Sequence, residues 1–533
     1  MRAFATFAAV ALATSLQGTA PAQEPPPPPP APQSLTAEEL VARWRAAANY
    51  ERHPDAEREL WTIRVAGLDG SLQILRRGTD TESDMTLGPF RTAHGSSHGQ
   101  RWHQNENGET ILDRPEPSQT EKPLAQTVER VREPVDSWML ATTFASGHET
   151  RMYYDPRTFY LLRSERTVAG HTAHTIFDEF RTDARGRTRP WHYYGGDERP
   201  GTEYDYRLVR DDELSENAEA ELAVPRDRRA LVEFPAGTDV VRLPARIENN
   251  RVYVRLQIAG RGLDFLLDTG ASMLTIDEDT VTKLGFPVYG RATQTVAGTF
   301  TTGRVVVPAV TVGELTMHDV VMHTAPYASV EGHDTRVVGL LGFDFLDAAG
   351  LKIDYANGTV EALRPGTLSA PAGATALDVR LNSGAPVTHA EIGEAAGDDF
   401  ILDTGAAFSY VLFQRFARSH PEVVRAEREG RVQVANGIGG TMSYRDAPAR
   451  KVELGTLTLP EVAGFEALSP SALGFDNEDG LIGADILKQF TVYLDYGSSR
   501  VYLAPASRAQ AARQRTPSGR DKAVGTVELR QRP

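Results

Sequence analysis

The sequence predicts a mainly β chain in three parts: a helix with a curved antiparallel sheet, then two similar small β lobes. Three observations carry this. Short apolar segments alternate with period two through most of the chain and are broken by Gly, Asp and Asn. One amphipathic segment near the start has a helix-capping sequence. An eight-residue segment recurs: residues 263–270 read Leu-Asp-Phe-Leu-Leu-Asp-Thr-Gly and residues 398–405 read Asp-Asp-Phe-Ile-Leu-Asp-Thr-Gly. The 533 residues are 40% hydrophobic and 24% charged, the balance of a globular protein too long for one core. With 57 basic against 72 acidic residues the net charge is −15, which argues against nucleic acid as partner. The chain has no cysteine, so disulfides, thiolate catalysis, Cys-ligated zinc and a lipidated cysteine are excluded.

In chain order, Arg2 precedes an apolar run from Phe4 to Leu16, and the small residues Ala20-Pro21-Ala22 follow. This is the pattern of a secretory signal over residues 1–22, since the run is too short to span a bilayer. An uncleaved anchor is the alternative. The expectation is an exported protein, periplasmic or secreted, with no integral membrane segment after cleavage. Residues 23–34 form a linker whose prolines Pro25–Pro30 favour a stiff polyproline spacer over an SH3-type ligand.

Residues 35–240 are expected to form an N-terminal β-rich accessory domain. Thr36 and Glu39 make a capping box, and Leu40, Val41, Trp44, Ala47 and Ala48 share a helical face. Leu72–Leu75, Arg151–Tyr154, His174–Phe180 and Trp191–Tyr194 read as antiparallel strands. His94, His98 and His103 are the tight histidine group here. The stretch 94–99 reads as a loop, and loop histidines without carboxylates at ligand spacing do not make a metal site. The Tyr154-Asp155-Pro156 turn, the Phe180-Arg181 strand end and the Arg189-Pro190 step resemble periplasmic lipoprotein-carrier half-barrels. That resemblance implies a lipid or acyl carrier role for this domain as one alternative.

The decisive signal is the repeat. Asp268 and Asp403 lie 135 positions apart, and each closes an apolar strand. Downstream, Val338-Gly339-Leu340-Leu341-Gly342 matches Asp479-Gly480-Leu481-Ile482-Gly483 at a register of 141. Twelve residues beyond the glycines stand Asp354-Tyr355 and Asp495-Tyr496. Turn chemistry explains one Asp-Thr-Gly but not two elements repeated at two distances. The chain therefore holds a tandem duplication, with lobes at 241–366 and 374–505 and a polar tail, expected to be disordered, at 506–533.

These motifs resemble the aspartic peptidases, and their retropepsin-like branch more than pepsin, over residues 243–503. The resemblance implies two acid-protease β-barrel lobes in one chain, each giving an Asp-Thr-Gly loop to a shared site, so that the monomer suffices for catalysis. It implies Asp268 and Asp403 as the catalytic pair. Thr269 and Thr404 would bond across the axis, Gly270 and Gly405 would leave room at the carboxylates, and Gly342 and Gly483 would pass beneath the loops. Amide hydrolysis without a metal needs one group to deprotonate water and another to donate a proton, which two adjacent acids sharing one proton supply. No cofactor is implied, and the partner is a peptide or protein substrate.

Ala271 and Ala406 follow the glycines, so a pepsin-like serine contact is missing, and Ser272 against Ala407 makes the lobes inequivalent. Flap positions are expected at Gly298 and at Gly437, Gly439 and Gly440, with plain hairpin turns as the alternative. A non-catalytic peptide or lipoprotein clamp with the same fold is the remaining alternative.

Overall fold

The computed structural model describes residues 34–49, 56–113, 123–144, 148–168, 171–214, 222–295, 299–327, 336–382, 384–424, 431–437, 440–468 and 478–506. The signal, linker and tail expectations for 1–22, 23–34 and 506–533 fall outside these residues, apart from Ser34 and Ala506. The chain is mainly β, with antiparallel strands following one N-terminal helix. Its compact units do not follow the contiguous 35–240 boundary. Residues 56–64, 71–78 and 123–214 group with the helix, whereas 65–70 and 79–113 group with the later half of the chain.

In the first unit, helix Ala37–Ala48 begins at Thr36, whose side chain accepts from Glu39 while Glu39 reaches back to the Thr36 amide. Leu40 is fully buried and packs with Trp138, Leu140 and Tyr154 of the sheet. Strands Pro123–Val131, Ser137–Phe144, Glu149–Tyr154, Leu161–Val168, His171–Thr182, Thr188–Gly196 and Tyr204–Glu213 pair consecutively and antiparallel. All four strand segments named from the sequence lie in strands.

The loop reading of residues 94–99 is corrected. Phe90–Ser97 and Gln100–Gln104 are paired strands, with His94 opposite His103. Only His98 and Gly99 form the turn, both with positive φ, which two-residue hairpin turns demand.

In the second unit two eight-stranded sheets share one strand order. The first runs Ala245–Glu248, Arg251–Ile258, Arg261–Leu267, Val337–Leu341, Thr275–Asp277, Leu315–Ala325, Thr299–Val312, Tyr289–Thr295. The second runs Arg380–Asn382, Ala385–Ile392, Ala395–Asp403, Gly480–Gly483, Tyr410–Leu412, Leu457–Ala467, Gly440–Leu454, Val432–Gly437. Each curls on itself through one extra pairing, Ile258 with Val310 and Ile392 with Val452. A six-stranded sheet takes three strands from each repeat and joins them where Ile353 faces Val492.

Period-two burial explains these lobes: Val252, Val254, Leu256 and Ile258 alternate into the core while Arg255 and Gln257 face out. In each lobe the strand ending at the Asp-Thr-Gly loop lies parallel to the Leu-Leu-Gly or Leu-Ile-Gly strand. The chain then turns back so that Thr275–Asp277, or Tyr410–Leu412, pairs antiparallel on that strand's other edge. That crossing clamps each loop at its base.

Candidate active site

Both Asp-Thr-Gly loops meet. The threonines are fully buried and lace the loops reciprocally. The Thr269 amide donates to Thr404 Oγ1 (3.2 Å), and the Thr404 amide donates to Thr269 Oγ1 (2.9 Å). Each hydroxyl then donates across the axis, Thr269 to the Leu402 carbonyl (2.5 Å) and Thr404 to the Leu267 carbonyl (2.9 Å). Hydroxyls serve here because each can accept and donate at once, and both are satisfied.

Asp268 and Asp403 come within hydrogen-bonding reach of each other, both partly exposed. The glycines explain how. A Cβ on Gly270 would lie 3.0 Å from Asp403 Cγ, and one on Gly405 would lie 2.5 Å from Asp268 Cγ. Each glycine thus makes room for the acid of the opposite loop. Gly342 and Gly483 are equally constrained: a Cβ would stand 2.4 Å from the Met273 carbonyl in one lobe and 2.3 Å from the Phe408 carbonyl in the other. Beyond them, the Phe343 amide donates to Ala271 O (2.9 Å) and the Ala484 amide to Ala406 O (2.8 Å), fixing the far side of each loop.

The two acids differ. Asp403 Oδ1 accepts from the amides of Gly405 (2.8 Å) and Ala406 (3.0 Å), whereas Asp268 Oδ1 accepts from Gly270 alone (2.9 Å). Burial, then the Asp403 charge, pushes the Asp268 carboxyl well above its ordinary range, against one amide holding it down. Burial also raises Asp403, but its two amides and the Asp268 hydrogen bond oppose that rise. Two amides against one thus favour the anion on Asp403 and the proton on Asp268.

Several neighbours were not legible as site residues. Arg251 donates to the Gly405 carbonyl (3.2 Å), and its charge favours ionisation of both acids. Tyr444 lies close enough to Asp403 that burial and that charge push its phenol up to about 12. It packs on Phe408, which also meets Phe465, with ring centres 5.2 and 5.0 Å apart. Tyr355 and Tyr496, seen in the sequence only as part of the repeat, are raised first by burial and then by the acids. Of the flap positions, Gly437 and Gly440 are cross-strand partners, as are Thr295 and Thr299, while Gly298 and Gly439 lie outside the described residues.

Among the described residues, Asp178, Glu179 and His192 have ligand-type atoms close enough to share an ion. Their partners are already provided: His192 contacts Asp178 (2.5 Å) and Asp205 (3.0 Å), and Glu179 pairs with Arg181 and Arg207.

Residues 254–345 match the sequence profile of a family described as aspartyl protease. No curated protein sequence matches the chain. Among solved structures, the aspartic proteinase from Irpex lacteus is 14% identical with a TM-score of 0.33, covering 51% of this chain and 99% of its own. Basic 7S globulin from soybean is 12% identical with a TM-score of 0.32, covering 50% and 96%. A LolA superfamily protein from Nitrosomonas europaea is 15% identical with a TM-score of 0.27, covering 36% and 98%. No helix among the described residues is long and apolar enough to cross a membrane.

Proposed function

We propose that this chain is an exported, retropepsin-like aspartic endopeptidase with both lobes in one polypeptide. The observation that carries the reading is the meeting of Asp268 and Asp403 at two loops laced by Thr269 and Thr404. In this reading Asp403, the anion, takes a proton from a water while Asp268 gives its proton to the scissile carbonyl oxygen. The new C–O bond makes a tetrahedral diol. Asp403 then passes its proton to the amide nitrogen while Asp268 takes one back from a diol hydroxyl, the C–N bond breaks, and the acid pair again holds one proton. Both acids come from one chain, so no partner subunit is required. Export rests on the run Phe4–Leu16 followed by Ala20-Pro21-Ala22.

The test is digestion of a peptide library by the purified chain across a pH series, with and without a pepstatin-type inhibitor, beside Asp403→Asn. Inhibitor-sensitive cleavage lost in the variant supports the reading. Cleavage retained by a correctly folded Asp403→Asn chain overturns it.

A further inference from the structure

The turn Asn105-Glu106-Asn107-Gly108-Glu109 joins strands Gln100–Gln104 and Thr110–Asp113, far upstream of the lobes in sequence but in the same compact unit. It is closed by the Asn105 amide on the Glu109 carbonyl (3.0 Å) and the Gly108 amide on the Asn105 carbonyl (3.0 Å), with Gly108 at φ 93°. Three of its side chains, Asn105, Glu106 and Asn107, engage the first lobe. Asn107 accepts from the Val321 amide (2.9 Å) and donates to the Val321 carbonyl (3.2 Å). Glu106 meets His323 (3.1 Å) and Arg304 (2.7 Å). Arg229 holds the turn from behind, donating to the Asn107 carbonyl (3.0 Å) and to those of His318 and Asp319.

Asn105 reaches furthest. Its Nδ2 donates to Asp344 Oδ1 (3.0 Å) and to Glu109 Oε2 (2.8 Å), and Asp344 Oδ2 accepts the Leu274 amide (2.8 Å). Leu274 ends the loop that begins at Asp268. A neutral amide is what lets two buried carboxyls stand side by side here, because a bare pair would repel.

The second lobe offers a comparison. Asp485 holds the position there that Asp344 holds in the first lobe. It too receives an asparagine from a turn, Asn250 Nδ2 donating to its Oδ1 (3.2 Å), with Lys488 beside it. Asp485 stays partly exposed, whereas Asp344 is buried.

We infer that the 105–109 turn is a positioning element of the first lobe: Asn105, acting through Asp344, holds the Asp268 loop in place. The catalytic unit accordingly includes part of the upstream hairpin. This rests on the peptidase reading for its functional consequence, but not for its structural one.

The experiment is Asn105→Ala in the full chain, read by hydrogen exchange and by peptide kinetics. Loss of one hydrogen bond should speed exchange over residues 268–274 about tenfold and leave 403–409 within about twofold. On a cleaved peptide, kcat per folded enzyme, with the folded fraction fixed by thermal unfolding, should fall about tenfold with KM within about twofold. Should that variant not fold, Arg229→Ala loosens the same turn from behind without touching Asp344 and carries the same readouts. Equal exchange in both loops, or no change in either, overturns the inference. A wild-type chain that cleaves nothing would instead sink the peptidase reading, and the exchange comparison would still decide this one.

Discussion

Substituting the two site glycines by alanine should have unequal effects, although they are equivalent in sequence. Neither glycine lies at positive φ, so alanine costs the backbone nothing, and the added methyl alone acts. On Gly405 it would stand 2.5 Å from Asp268 Cγ and 2.6 and 2.7 Å from its oxygens. On Gly270 it would stand 3.0 Å from Asp403 Cγ and 3.0 and 3.2 Å from its oxygens. Ordinary contact begins at 3.4 Å, so Asp268 must retreat by roughly 0.9 Å and Asp403 by roughly 0.4 Å. Asp268 is also the acid held by a single amide, so it is the one that moves. A displacement near 1 Å at a reacting group costs about 100-fold in rate, and half of that distance considerably less. Gly405→Ala should therefore lose about 100-fold in kcat/KM on a peptide substrate, and Gly270→Ala about tenfold or less. Thermal unfolding run alongside would show both variants folded. Equal losses, or a larger loss in Gly270→Ala, would refute the crossed arrangement in which each glycine houses the opposite acid.

Asp268→Asn and Asp403→Asn should each reduce peptide hydrolysis by at least about 10⁴-fold, measured at saturating substrate. Asp268 is raised on folding, so its stability contribution is full below the unfolded pKa and is lost as pH climbs through the folded value. Asp268→Asn should accordingly unfold at a higher temperature than wild type at pH 7, with the gap closing near pH 4. Thr269→Val and Thr404→Val each remove a donor and an acceptor from the lacing, and should each destabilise by about 1–3 kcal/mol in denaturant titrations. Asp347, raised by burial and by Asp227 and Asp344 to about 7, follows the same sign. Wild-type stability should fall from pH 4 to pH 7, and Asp347→Asn should flatten that fall by on the order of 3 kcal/mol.

The sequence exposed what repeats and what is local. Asp268, Thr269 and Gly270 recur at Asp403, Thr404 and Gly405 after equivalent apolar strands, so their pairing was legible before any geometry. The reason for each glycine was only half legible, since the clash it avoids is with a carboxyl 133 or 137 residues away. Arg251 and Tyr444 stayed hidden because an arginine opening one strand and a tyrosine within another look like ordinary edge and core residues. His94 to Gly99 read as a loop because Phe90–Ser97 is too polar to show alternation, its outer side chains being solvated or hydrogen-bonded instead. Asn105 carried no signal at all: its role depends on Asp344, 239 residues further on.

The first unit bears on the carrier alternative through the chemistry of one sheet face. Side chains of cross-strand partners, and of residues two apart, share a face, so Leu140, Met152, Ser164, Thr175, Gly195 and Tyr204 form a row on the face that carries the helix. Tyr193, two residues from Gly195, continues that face, stacking on Tyr206 at 4.9 Å and meeting Trp61 edge-on at 5.3 Å. Trp61 donates to Glu59 (3.0 Å), and beyond it Glu57, Glu59 and Asp211 are buried against Arg76, Arg187 and Arg189. An acyl chain laid there would strip water from what remains exposed of these ions, chiefly Arg76, and offer it no hydrogen bond. A half-barrel floor built to shelter lipid would present Leu, Ile and Phe where this one presents Glu and Arg. The ion network therefore weighs against an acyl carrier. Native mass spectrometry of the full chain showing lipid retained by wild type, and lost on substitution of Tyr193, would reverse that judgement.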